Sequence, residues 1–78
     1  MKEFTIHISS FQGVQDFVAL ATTQPFRILV RSGMQLVNAK SFIGMVNLDY
    51  SQPVTVRCDC GGEEMAQFYE QARSLLET

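Results

Sequence analysis

The chain has 78 residues, enough for one domain with a single small core, and 46% hydrophobic against 18% charged residues is the balance of a folded domain, which excludes intrinsic disorder. Its net charge of −2, from eight acidic and six basic side chains, gives the chain as a whole no electrostatic footprint for nucleic acid. No apolar run approaches the roughly 18 residues of a membrane span, and the start MKEFTIHISS lacks the apolar centre of a signal peptide, so a cytoplasmic, non-membrane protein is expected.

Residues 3–8, EFTIHI, alternate with Phe4, Ile6 and Ile8 on one face and Glu3, Thr5 and His7 on the other, which predicts a half-buried strand. The period then changes. Val14, Phe17, Val18 and Ala21 recur at helical spacing, so a helix is predicted to begin near Ser9 or Ser10, with Ser9 and Gln12 as a capping box. Pro25 ends it near Thr23, because the proline ring cannot continue the hydrogen-bond ladder.

FRILV and MQLVN flank RSG, and Ser32-Gly33 is the expected turn of a hairpin. Ser41 opens SFIGMVNL, read as a helix of about two turns, and DYSQP follows as a turn. VTVRCDC alternates again, placing Val54, Val56, Cys58 and Cys60 on one face. Gly61-Gly62 breaks that strand. The last segment, EEMAQFYEQARSLLE, carries Met65, Phe68, Tyr69, Ala72, Leu75 and Leu76 at helical spacing, with Glu63 and Glu64 at its positive end.

The order βαββαβα, with one apolar and one more polar side to every strand, predicts a single α+β domain over residues 1–78. Its architecture would be an open-faced β-sandwich, a four-stranded antiparallel sheet with three helices on one face.

Within that order, VNAKSFIGMVNL, residues 37–48, resembles the serine-site segment of the HPr family, the histidine-containing phosphocarrier proteins of the bacterial sugar phosphotransferase system. VTVRCDCGGEEMAQFYEQARSLL is similar to the family's last strand and helix, glycine break and acidic helix start included. The likeness covers about residues 35 to 76 and is weaker before them.

The first helix departs from the family pattern. Members carry a phosphorylatable histidine at its start, closely followed by Arg-Pro, so that backbone N–H groups and the arginine hold the phosphate. Aligning through FVALA places Ser10 where the histidine belongs, Gln12 at the arginine and Gly13 at the proline. Neither serine nor glutamine provides the labile P–N bond of a relay. The resemblance is therefore to the regulatory variety of the family that lacks the histidine and keeps the serine, with Ser10 and Gln12 as a degenerate phosphocarrier site.

The resemblance implies that Ser41 is a regulatory phosphorylation site, modified by an HPr kinase/phosphorylase with Mg-ATP, and that a carbon-catabolite regulator is a partner. Its plain alternative is a helix N-cap with no further role. A phosphate there would meet free N–H groups, the helix dipole and the adjacent Lys40.

Phe42, Ile43, Gly44, Met45, Val46 and Leu48 make the second helix apolar nearly all round, and a short helix on a sheet buries only one side. Met45 and Leu48 are the core candidates. By the resemblance to the HPr family, Lys40, Phe42, Ile43 and Val46 are the expected docking patch for a protein partner.

Three other groups read more simply as structure. His7, the single histidine, is expected in mid-strand facing away from the helices, although a divergent phosphocarrier relaying phosphate from phosphoenolpyruvate would have to rest on it. Cys58 and Cys60, at i and i+2 of one strand, are poorly placed for a disulfide. With His7 on the opposite face they make no metal site, and each reads as a small hydrophobe. Arg27, Arg31 and Arg57 on the open sheet face lack the interleaved aromatics of a nucleic-acid surface.

The expected function is thus a non-enzymatic, cofactor-free regulatory docking module. A divergent phosphocarrier and a degenerate interaction domain of the same fold stand beside it, and the oligomeric state is left open.

Overall fold

A computed structural model of the chain describes residues 2–76. Seven elements follow in order: β1 (Lys2–Ile6), α1 (Phe11–Thr22), β2 (Ile28–Ser32), β3 (Gln35–Asn38), α2 (Phe42–Val46), β4 (Val54–Cys58) and α3 (Gly62–Leu76). The strands form one antiparallel sheet in the order β1-β4-β2-β3. β1 therefore lies at an edge beside the last strand.

The register turns strand alternation into two faces. Phe4, Val56, Val30 and Val37 share a row across the four strands on the helix side, while the next row, Thr5, Thr55, Arg31 and Leu36, points the other way. Onto the first face α1 brings Val14, Phe17, Val18 and Ala21, α2 brings Met45, and α3 brings Phe68 and Ala72, all buried in one cluster. Phe68 is its hub: its ring lies 5.7 Å from Phe17, 5.9 Å from Phe4 and 6.0 Å from Phe26 between centroids. Burying each such side chain contributes about 1.5–3 kcal/mol.

Local chemistry sets the ends of the elements, and several differ from the sequence expectations. Helix α1 is capped by Ser10, whose Oγ accepts from Gly13 N–H at 3.0 Å. The Ser9–Gln12 capping box does not form, because the cap is Ser10 and the third helical residue is therefore Gly13, which has no side chain to reach back; Gln12 Nε2 donates to Asp16 Oδ1 at 2.9 Å. Gly13 is where α1 comes closest to its neighbours. A Cβ there would stand 3.1 Å from Ile8 Cγ2 and 3.2 Å from Leu76 Cδ2.

The hairpin turns on Gly33-Met34, one residue later than expected, since Ser32 and Gln35 are already paired. Gly33 has φ of 60°, the left-handed conformation that the first central residue of a type II′ turn requires. α2 is one turn and a fraction, five residues rather than about two turns. α3 starts with half a capping box: Glu64 Oε1 accepts from Gly61 N–H at 3.3 Å. Its predicted inward face holds at Phe68 and Ala72, but Leu75 is exposed, and residue 77 of the predicted helix lies outside the described residues.

Among the described residues no helix is long and apolar enough to cross a membrane.

Candidate functional site

The segment from β3 into α2 is built by backbone and cap bonds that fix where Ser41 stands. Ala39, fully buried, donates its N–H to Ile28 O at 2.9 Å and pins the chain beside β2. Asn38 then folds the turn: its Oδ1 accepts from Lys40 N–H and its carbonyl accepts from Ser41 N–H, both at 2.9 Å. Ser41 arrives in extended geometry, and its Oγ accepts from Gly44 N–H at 3.3 Å. The hydroxyl is thus a helix cap on an exposed residue.

The far end of α2 is equally tied. Asn47 Nδ2 donates to Ile43 O at 3.0 Å, and the Tyr50 hydroxyl donates to Met45 O. Burial of the Tyr50 ring pushes its hydroxyl pKa up. Asp49 closes the next turn by accepting from Ser51 N–H at 2.9 Å, and this contact with Ser51 holds its carboxyl below the usual range.

The five-residue helix buries Met45 and, just beyond it, Leu48, and leaves the other side uncovered. Ile43 is 68% exposed and Phe42 38%, while Val46 is half-buried against the core. Phe11, at the start of α1, joins them. It is 60% exposed, and its ring meets that of Phe42 edge to face, centroids 6.0 Å apart. Sequence reasoning missed Phe11. The available signal was its position off the buried stripe of α1.

Lys40, expected in the docking patch and beside a phosphate on Ser41, is engaged elsewhere. Its Nζ donates to Gln24 O at 2.8 Å, just past the end of α1, where an unpaired carbonyl and the negative end of the helix favour a cation. It is half-buried.

His7 also differs from expectation. β1 stops at Ile6, so His7 follows the strand rather than standing in its middle. There it lines an open cleft of about 410 Å³ together with Ser9, Ser10, Phe11, Val46 and Tyr50. The single histidine, the cap of α1 and the edge of the apolar patch therefore share one concavity. Gln12 is not part of that cleft and lines a smaller one of about 140 Å³ with Ser9, Ser10 and Asp16.

On the open sheet face Arg57 Nε lies 2.9 Å from Glu3 Oε2, an ion pair off the line of a good N–H hydrogen bond. Both side chains are more than two-fifths exposed, so the pair is worth little. Among the described residues no three side chains of His, Cys, Asp or Glu come together as a metal site.

No family model matches the chain, and no curated protein sequence does either. Solved structures do match. Over 99% of this chain and 92% of its own, the crystal structure of HPr-C-His from Thermoanaerobacter tengcongensis superposes with a TM-score of 0.79 at 30% identity. The phosphocarrier protein HPr from Bacillus anthracis str. Ames gives 0.74 at 17% identity, covering 97% of this chain and 96% of its own. A histidine-containing phosphocarrier protein of Mycoplasma gives 0.74 at 15%, covering 96% and 97%. These last two bear on the fold alone.

Four antiparallel strands in the order β1-β4-β2-β3, with three helices in the order βαββαβα, define a phosphocarrier-type open-faced sandwich. The chain belongs to the HPr family.

Proposed function

We propose that the protein is a regulatory docking module of the phosphotransferase system family rather than a phosphoryl relay, acting through Ser41 and the apolar surface beside it. One observation carries this reading. The Ser41 hydroxyl caps the helix that displays Phe42 and Ile43 to solvent, so a modification there changes the charge of the patch without disturbing the core. Helix α2 has only five residues and Lys40 Nζ is held by Gln24 O, so the phosphate would gain little from either. The switch then works by placing negative charge at the rim of an apolar contact. The partners this fits are an HPr kinase/phosphorylase and a carbon-catabolite regulator, with no enzymatic activity of the protein's own.

The test is intact mass with site mapping after incubation with HPr kinase and Mg-ATP, with Ser41→Ala as control. A single phosphate on Ser41, absent from the control, supports the reading. No phosphate under conditions that modify an ordinary HPr removes it and leaves Ser41 a helix cap on an interaction domain of the same fold.

A second reading is favoured by the cleft. His7 shares it with Ser10 at the mouth of α1, so a divergent phosphocarrier would use His7 as acceptor, three residues before the cap. Labelling through phosphoenolpyruvate and the general enzyme of the system separates the two: acid-labile phosphate on His7 belongs to the relay, acid-stable phosphate on Ser41 to the docking module.

A further inference from the structure

We propose that the outer edge of β1 is a docking groove for an extended peptide segment of a partner protein, whose groove-facing side chains are apolar and acidic. Hydrogen-bond direction across the sheet is set at the hairpin. Residues flanking a two-residue turn bond each other, so Ser32 and Gln35 point their N–H and C=O groups together, and the direction alternates along each strand. Even-numbered residues of β2 therefore bond toward β3 and odd-numbered ones toward β4. Two bonds agree: Ala39 N–H donates to Ile28 O and Asp59 N–H to Arg27 O, both at 2.9 Å. The same alternation turns Val54, Val56 and Cys58 of β4 toward β1, where Ile6, Phe4 and Lys2 meet them. The N–H and C=O groups of Glu3 and Thr5 are left pointing outward, and among the described residues nothing bonds them.

Helix α3 turns this edge into a groove. It packs over β1, with the Tyr69 ring edge-on to Phe4 at 5.0 Å between centroids. Thr5, Ile6 and His7 on the strand side and Tyr69, Arg73 and Leu76 on the helix side line an open cleft of about 270 Å³. Ile6, Tyr69 and Leu76 make its walls apolar. Arg73, which also donates to Glu70 Oε2 at 3.0 Å, brings a positive charge, and among the described residues no carboxylate lines the cleft.

A strand laid along this edge bonds Glu3 and Thr5 through its backbone, and every second side chain enters the cleft. Apolar side chains fit the walls, and an acidic one complements Arg73. On the other face of the added strand a side chain meets Glu3, so an acid is disfavoured there.

The overhanging helix also selects the occupant. A second copy pairing its own β1 here would set the two strands about 4.8 Å apart. The two α3 helices, one over each strand, would then come well inside the roughly 8–10 Å at which helices pack. A lone extended segment brings no helix. The groove lies across the sheet from β3, against which α2 packs, and is separate from the apolar patch beside Ser41.

The test titrates the isotope-labelled full chain with a capped peptide, Lys-Val-Thr-Leu-Thr-Glu-Lys, which carries valine, leucine and glutamate on one face, and follows amide hydrogen exchange by NMR. Exchange at Glu3 and Thr5 is expected to slow at least about tenfold, while Phe4 and Ile6, already bonded to β4, change less. Moving the glutamate to the other face, in Lys-Val-Thr-Leu-Glu-Thr-Lys, should weaken binding about threefold or more. Thr5→Pro removes an outward N–H, the position at which an edge strand accepts proline, so it should keep a cooperative melt and lose binding. Equal affinity for the two peptides, no protection of Glu3 and Thr5, perturbation confined to the cleft of His7 and Ser10, or self-association of the protein through β1 overturns the proposal. Where Thr5→Pro fails to fold, the alternation of protection in the wild type decides alone.

Discussion

The rings of Phe11 and Phe42 meet edge to face, with centroids 6.0 Å apart and planes at 77°, although both residues are exposed. The contact joins the first turn of α1 to the first turn of α2, so two helices that arise from separate parts of the chain present one apolar surface. Aromatic pairs of this kind contribute about 0.5–1.5 kcal/mol beyond the area they bury. The surface is therefore held in shape while open to a partner.

Ile43 is the most exposed member of the patch, so Ile43→Asp should leave folding stability within about 0.5 kcal/mol of wild type. The same change should lower kcat/KM for phosphorylation of Ser41 by HPr kinase at least about tenfold. Thermal melts beside initial-rate kinetics make the comparison. Equal rates for variant and wild type would remove the patch from partner recognition.

The two serine caps should differ in weight. Ser10 caps a 12-residue helix with a part-buried bond of 3.0 Å, and Ser41 a five-residue helix with an exposed bond of 3.3 Å. Ser10→Ala is expected to cost about 1–2 kcal/mol and Ser41→Ala about 0.5 kcal/mol. Urea midpoints at unchanged m-value report both.

Phe68 touches three other rings at the centre of the core and is essentially without solvent access. Truncation to alanine is expected to cost about 3–5 kcal/mol, as large as the whole net stability of a domain this small. Circular dichroism of Phe68→Ala at 25 °C should show a largely unfolded chain, and Phe68→Leu should recover a cooperative transition.

Alkaline pH should weaken the fold through Cys58. Its thiol is raised from 9.0 to about 12 by burial first and by Cys60 second, so the folded state holds the proton more tightly than the unfolded state. The stability this contributes is complete below pH 9.0 and is lost as pH climbs toward about 12. The effect amounts to a few kcal/mol at most. Denaturation midpoints stepped upward from neutrality should fall more steeply for wild type than for Cys58→Ala. Parallel curves would contradict the assignment.

The element order, the core and the cap at Ser41 could all be read from residue spacing. Phe4 and Ile6 alternate because a strand repeats every two residues, and Val14, Phe17, Val18 and Ala21 recur because a helix repeats every 3.6. Such periods are local, so they survive without knowledge of the fold. The short apolar segment after Ser41 also announced its surplus, since a helix of that length on a sheet cannot cover Phe42 and Ile43 along with Met45.

What the tertiary structure alone decided lies where distant segments meet. It brought Phe11 against Phe42, tied Lys40 Nζ to Gln24 O sixteen residues away, and placed His7 in a cleft with Ser10 and Tyr50. No periodicity encodes these, because each depends on where one element stops and the chain bends. A stopping point moved by one or two residues swings a side chain to another face. The sequence by itself determined most of the residues that are buried, Leu75 excepted; the meeting of turns, caps and strand register determined which of the others stand together.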